Sequence, residues 1–246
     1  MTTPSGDSPQ GGQRVIAILG MHRSGTSLLA GTLEECGLKL GDVNTRAPAN
    51  EKGNRESWLL MALHEDLLRK AGGLWHRPPV RPVVWTPLHV AIRSVFIAEF
   101  VDVPLWGFKD PRLLHLLDGW LEALPGLETV GIFRHPLEVA GSLRERTPSL
   151  FPGDAAERLW LDHNRRLLAW HDRTGCPLLE FVSHRTAFNA AAAAVARRLA
   201  LPGAPPTGDM SFFEERLRHQ SAEGEPLHGE LADVYAALRE RAITAP

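Results

Sequence analysis

Short apolar runs alternate along this chain with longer stretches of helical period. The runs VIAILG at 15–20, LWGF at 105–108, TVGIF at 129–133 and LLEFV at 178–182 are nearly continuous, the pattern of strands buried on both faces of a parallel sheet. Between them Leu60, Leu63 and Leu67 recur at helical spacing, as do Leu113, Leu116, Leu117, Trp120, Leu121 and Leu124, and later Leu231, Val234, Tyr235 and Leu238. Strands and helices in alternation predict an α/β layered fold around a central, mostly parallel sheet. No repeat or shift of composition divides residues 13–246, so one domain is expected there, after a disordered tail over 1–12 rich in Gly, Ser, Pro and Thr. The polar stretch Asp42 to Arg55 and the proline-rich stretch Gly72 to Pro87 are expected to be surface loops, the kind that shape substrate sites.

Composition narrows the function classes. Among 246 residues, 27 basic side chains stand against 29 acidic ones, and the net charge of −2 lacks the basic excess of a nucleic-acid coat. No nucleic-acid partner is expected. The polar opening has no signal-peptide core and no long apolar run follows, so no membrane span and a cytoplasmic location are expected. Cys36 and Cys176 stand alone, as buried thiols do in a reducing compartment. The 11 histidines form no metal-ligand motif: His64-Glu65 lacks a second histidine one helical turn after the first, and His163 and His171 are too far apart. No metal is expected.

The segment VIAILG-MHRSGTS-LLAGTLEECG is a strand, a glycine turn and a helix. Gly20 and Gly25 bracket four residues, a spacing that lets successive backbone N–H groups curl around an oxyanion at a helix N-terminus. Ser24, Thr26 and Ser27 add hydroxyls and Arg23 adds a charge. Thr26 stands where a nucleotide-triphosphatase loop has lysine, and no apolar strand ends in a magnesium-binding Asp. GFKDPR at 107–112 puts Lys109 and Arg112 around the end of a second strand, where ligands of open α/β sheets bind. A third strand ends in FRHPLEVAGSL, where Arg134 leaves the strand and Ser142 lies two turns along the helix opened by Pro136.

In order and spacing, GMHRSGTSLL at 20–29, FKDPRL at 108–113 and FRHPLEVAGSL at 133–143 resemble the motifs of sulfotransferases that use 3′-phosphoadenylyl sulfate (PAPS). The resemblance implies a three-layer P-loop-type fold. It also implies transfer of the sulfuryl group to a hydroxyl of a glycan or small-molecule acceptor, without a metal. His22, Arg23, Ser24, Gly25, Thr26 and Ser27 would hold the 5′-phosphosulfate, and Arg134 and Ser142 the 3′-phosphate. The middle motif is similar to the K-D-P segment of protein-tyrosine and bacterial glycan-type members, which makes Lys109 catalytic. Arg23 would supply the charge that many cytosolic members take from a loop lysine. The stretch 50–75 is similar to an N-x-K-G-x-x-E segment of bacterial members, which makes Glu56 the general base at the opening of a helix, with His22 and His64 in reserve. Trp58, Trp75, Trp85 and Trp106 would flank the acceptor side, although core packing suits most of them.

Two departures stand out. The R-K-G-x-x-G-x-W element that completes the 3′-phosphate site of cytosolic members is missing, with Arg218 and His219 as replacements, and a V-x-Y-E-D-like stretch has become FVSHRTAF at 181–188. The competing readings are a P-loop small-molecule kinase or other NTP-dependent enzyme, and a nucleotide-binding relative without activity.

Overall fold

The four apolar runs pair into one sheet in the computed structural model, which describes residues 12–46, 52–213 and 226–244. Strands β1 (Arg14–Leu19), β2 (Leu105–Lys109), β3 (Glu128–Phe133) and β4 (Leu178–Glu180) lie in the order β2-β1-β3-β4, and every pairing is parallel. Ile18 is level with Lys109 on one side and Val130 on the other. The carboxyl ends of the three strands therefore open onto one edge of the sheet.

The helices of the described residues are α1 (Thr26–Glu35), α2 (Trp58–Lys70), α3 (Pro87–Ala98), α4 (Leu117–Ala123), α5 (Pro136–Arg146), α6 (Ala155–Thr174), α7 (Arg185–Arg198) and α8 (Gly229–Arg241). Alternation along β1 sorts them into layers, because successive side chains of a strand enter opposite faces. Val15, Ala17 and Leu19 pack with Trp106, Phe108 and Phe133 against α2 to α6 and α8. Ile16 and Ile18 pack with Val130, Ile132 and Leu179 against α1 and α7. The result is the expected three-layer α/β architecture. Cys36 and Cys176 are free and buried in these cores. No helix among the described residues is long and apolar enough to cross a membrane.

Three expectations are refined. The periodic run 113–124 is not one helix: a single 3-10 turn, Leu113–His115, is followed by α4. The Asp110 carboxylate accepts the Arg112 backbone N–H at 2.8 Å, tightening the chain after β2, and Leu116 (φ −127°) leaves helical geometry before α4 begins. Strand β4 stops at Glu180, because Phe181, though its N–H still reaches the Phe133 carbonyl at 2.7 Å, turns its ring toward Arg134. The Gly72–Pro87 loop is not wholly at the surface, since Trp75 packs inward on His22 with ring centroids 4.5 Å apart. The expected tail, except Gly12, and Arg218 and His219 lie outside the described residues.

Candidate functional site

The loop between β1 and α1 needs glycine at both ends. Gly20 has φ 149°, and a Cβ there would stand 2.4 Å from the Ile132 carbonyl oxygen; Gly25 has φ 90°, and its Cβ would stand 2.5 Å from the Phe181 ring. Both the left-handed backbone and the lack of space exclude a side chain. Thr26, Ser27 and Leu28 open α1, where backbone N–H groups have no partner within the helix, and all three line a cavity of about 430 Å³. His22, Arg23 and Gly25 line it too. Ser24 does not: it is fully buried and its hydroxyl has no partner among the described residues. Its backbone N–H donates to the Met21 carbonyl at 3.3 Å.

The cavity is far more basic than the chain. Among the described residues, Arg23, Lys52, Lys109, Arg112, Arg134 and Arg146 line it against a single carboxylate, Glu56, in a protein of net charge −2. Such a concentration of cations in a partly desolvated space suits a polyanionic ligand.

Lys109 is the deepest of these cations. Parallel pairing of β1 with β2 sets it beside the loop, where its Nζ donates to Glu56 and lies 3.3 Å from Ser27 Oγ. Burial lowers the Lys109 pKa, against the pull of Glu56, and burial raises that of Glu56, against the pull of Lys109. Each group thus opposes, without outweighing, the shift that burial imposes on the other. Glu56 does not open the helix as the sequence suggested. Ser57 is the N-cap of α2, and Glu56 precedes it with its carbonyl accepting the Asn44 N–H at 3.0 Å. Its burial comes from the ion pair and the cavity, and the helix dipole is not what holds it.

On the opposite side, Arg134 leaves β3, stacks on Phe181 (4.7 Å to the ring centroid) and donates to Glu138 at 2.6 Å. Ser142 Oγ accepts from Arg23 Nε at 2.8 Å, and Arg134 Nη1 reaches the Arg23 carbonyl at 3.5 Å. Arg23 has φ 67°, and its side chain joins Arg134 and Ser142 instead of turning toward Lys109. Burial, with Arg146 and Arg134 beside it, lowers the Arg23 pKa.

Behind this wall lies a buried polar network. Trp120 Nε1 donates to His64 Nε2 at 3.0 Å, which puts the ring proton of His64 on Nδ1, 3.3 Å from Asp110. Asp110 also accepts from the Arg112 guanidinium at 3.1 Å, and Arg112 in turn donates to Glu65 at 2.8 Å. Burial pushes the Asp110 carboxyl up, but His64 and Arg112 outweigh it and hold the group below the usual carboxylate range. His64 is fully enclosed, which removes it as a reserve base. His22 does face the cavity, and burial together with Arg112 keeps its pKa well below the usual histidine value. Asp110 directly follows β2, a position the sequence reading had not credited with an acid at a strand end, but its oxygens are engaged away from the cavity.

Of the four tryptophans, Trp75 alone lines the cavity. Trp106 stacks on Phe100 at 4.2 Å, Trp85 packs edge-on against Trp120, and Trp58 is 65% exposed. Sequence reasoning missed Lys52, Arg146 and Phe181 as lining residues. Phe181 directly follows a strand at its carboxyl end, and Lys52 stands in the N-x-K-G-x-x-E segment without having been given a role.

No protein-family model matches the chain, and no curated protein matches it. Among solved structures it is similar to the sulfotransferase domain from the Synechococcus PCC 7002 olefin synthase, at 21% sequence identity over 72% of this chain and 69% of that one, with a TM-score of 0.41. An overlap that loose carries no weight for function, which rests on the cavity itself.

Proposed function

We propose that this chain is a sulfotransferase that moves the sulfuryl group of PAPS to a hydroxyl of a glycan or small-molecule acceptor and releases adenosine 3′,5′-bisphosphate. One observation carries the reading: a single cavity is lined by the β1–α1 loop with Lys109 and by Arg134 and Arg23, while Ser142, outside the lining, accepts from Arg23 behind them. Two separate anion-binding groups suit a ligand with phosphates at both its 5′ and 3′ ends.

Sulfuryl transfer, like phosphoryl transfer, has an in-line and loose transition state, so the protein acts by positioning and by stabilising charge on the leaving oxygen. As the bond from sulfur to the bridging oxygen of the 5′-phosphate breaks, Lys109 and the N–H groups at the start of α1 stabilise the charge gathering there. The acceptor oxygen forms the new bond to sulfur, and its proton passes to the Glu56 carboxylate. Lys109 is shared between Glu56 and Ser27, so turning toward the leaving phosphate also frees Glu56 to act as base.

The test is calorimetry in excess EDTA with adenosine 3′,5′-bisphosphate beside ATP, with the ATP titration repeated in Mg²⁺. Tight, metal-independent binding of the bisphosphate is expected. Binding of Mg²⁺-ATP alone would overturn the reading in favour of a kinase.

A further inference from the structure

A second cluster of chemistry-bearing side chains lies outside the cavity. His115 ends the 3-10 turn after β2, and Asp162 and His163 lie on α6. Adjacent helix residues point about 100° apart and rarely share a ligand. Here both meet His115, and a ligand atom from each of the three residues lies within 4.8 Å of the others. His115 Nε2 is 3.3 Å from Asp162 Oδ2, yet neither atom has a hydrogen-bond partner among the described residues.

The outer contacts aim the free atoms inward. His163 Nδ1 lies 3.1 Å from the Leu159 carbonyl, which can only accept, so Nδ1 carries the proton and Nε2 keeps a lone pair. Arg166 Nε holds Asp162 Oδ1 at 3.2 Å and leaves Oδ2 facing His115. A histidine that donates its remote N–H to a backbone carbonyl and a carboxylate fixed through its other oxygen are the usual outer supports of a metal site.

We propose that His115 Nε2, Asp162 Oδ2 and His163 Nε2 bind a divalent first-row transition ion, with Zn²⁺ the best match to two imidazoles and one carboxylate. Ligand atoms of a tetrahedral Zn²⁺ with bonds of about 2.0–2.1 Å stand about 3.3–3.4 Å apart, the spacing His115 and Asp162 already have. The fourth position falls to water. None of the three residues lines the cavity, so the ion has no part in the transfer step. It would instead clasp α6 to the turn that follows Asp110 and Arg112, steadying the segment that carries Lys109.

The experiment uses the full chain, stripped with EDTA and then freed of the chelator. Zn²⁺ is titrated in competition with a chromophoric chelator, Co²⁺ absorption reports coordination, and thermal unfolding is followed with and without Zn²⁺. Asp162→Asn is the main variant, because this partly exposed carboxylate can be replaced without opening the core; His163→Gln is the second. The expected result is uptake of one Zn²⁺, intense four-coordinate Co²⁺ bands and a metal-dependent rise in Tm. In Asp162→Asn the affinity should fall by at least about 10–100-fold, the cost of losing even an outer contact, and the rise in Tm should vanish. Absence of stoichiometric uptake would overturn the proposal, and so would uptake that both variants leave unchanged.

Discussion

Lys109, the last residue of β2, donates to the carboxylate of Glu56, which precedes α2, and the two form a buried ion pair at the floor of the cavity. Removing one member of such a pair leaves the other charged group without compensation, at a cost of about 3–5 kcal/mol. Lys109→Met is therefore expected to lower Tm as well as turnover. Glu56→Gln should lower Tm less than Lys109→Met, because its amide oxygen still accepts from Lys109, while turnover falls by roughly 10² or more and the bisphosphate binds normally. Adding Glu56→Gln to Lys109→Met should recover part of the lost stability, since no buried charge is then left alone. Melting curves and sulfuryl-transfer rates of the three variants check this. Near-wild-type turnover in Glu56→Gln would reject its role as base.

The pH profile separates the two candidate bases that face the cavity. Burial raises the Glu56 pKa although Lys109 opposes it, and a base must be deprotonated to work. The kcat/KM of the wild type should therefore fall as pH drops, with a midpoint above the ordinary glutamate value. Glu56→Gln should abolish that acid limb. His22→Asn should leave it in place, because burial and Arg112 hold His22 well below the usual histidine range, so its titration does not set the limb. An acid limb that disappears in His22→Asn and persists in Glu56→Gln would reverse the assignment.

Gly25 meets two separate constraints, and substitution tells them apart. A methyl group there enters the Phe181 ring at 2.5 Å, and the backbone sits at φ 90°, where an L side chain costs roughly 1–2 kcal/mol. Gly25→Ala is expected to weaken bisphosphate binding by about 10-fold or more, because the loop's N–H groups can no longer hold their positions. Trimming Phe181 to Ala in that background should recover only part of the stability, since the backbone strain persists. Full recovery would mean that the ring contact alone fixes the glycine. Calorimetry and melting curves measure both effects.

The strands were legible because four apolar runs carry both cores, and the sites were legible because each directly follows a strand, although Asp110-Pro111 opens no helix and only a 3-10 turn follows it. His22, Arg23, Gly25 to Ser27, Lys109 and Arg134 converge on the cavity for that reason. Side-chain direction was not legible. Arg23 swings to Ser142 through a positive φ that its sequence does not announce, and Ser24 turns into the core while its neighbours face the cavity. Glu56 falls one residue before the cap of α2, a difference that periodicity is too coarse to detect. Arg146 reaches the cavity from the last turn of a helix, through packing that no local pattern records. His115 and Asp162 are distant in sequence, so no ligand-spacing motif could pair them.

Arg134 gives the sharpest test of where the 3′ end of the nucleotide lies. Its guanidinium is held by Glu138 at 2.6 Å and stacked on Phe181, and Arg23 donates to Ser142 beside it at 2.8 Å. A charge-assisted hydrogen bond to a phosphate contributes about 1.5–3 kcal/mol, roughly 10–100-fold in affinity. Arg134→Ala should therefore weaken adenosine 3′,5′-bisphosphate by that factor and leave adenosine 5′-phosphosulfate, which has no 3′-phosphate, almost unchanged. Glu138 partly neutralises the same guanidinium, so Glu138→Gln should tighten the bisphosphate and strengthen its dependence on salt. Calorimetry with both nucleotides on both variants decides the matter. An equal loss for the two nucleotides in Arg134→Ala would remove the 3′-phosphate from this corner and reduce Arg134 to a structural partner of Glu138.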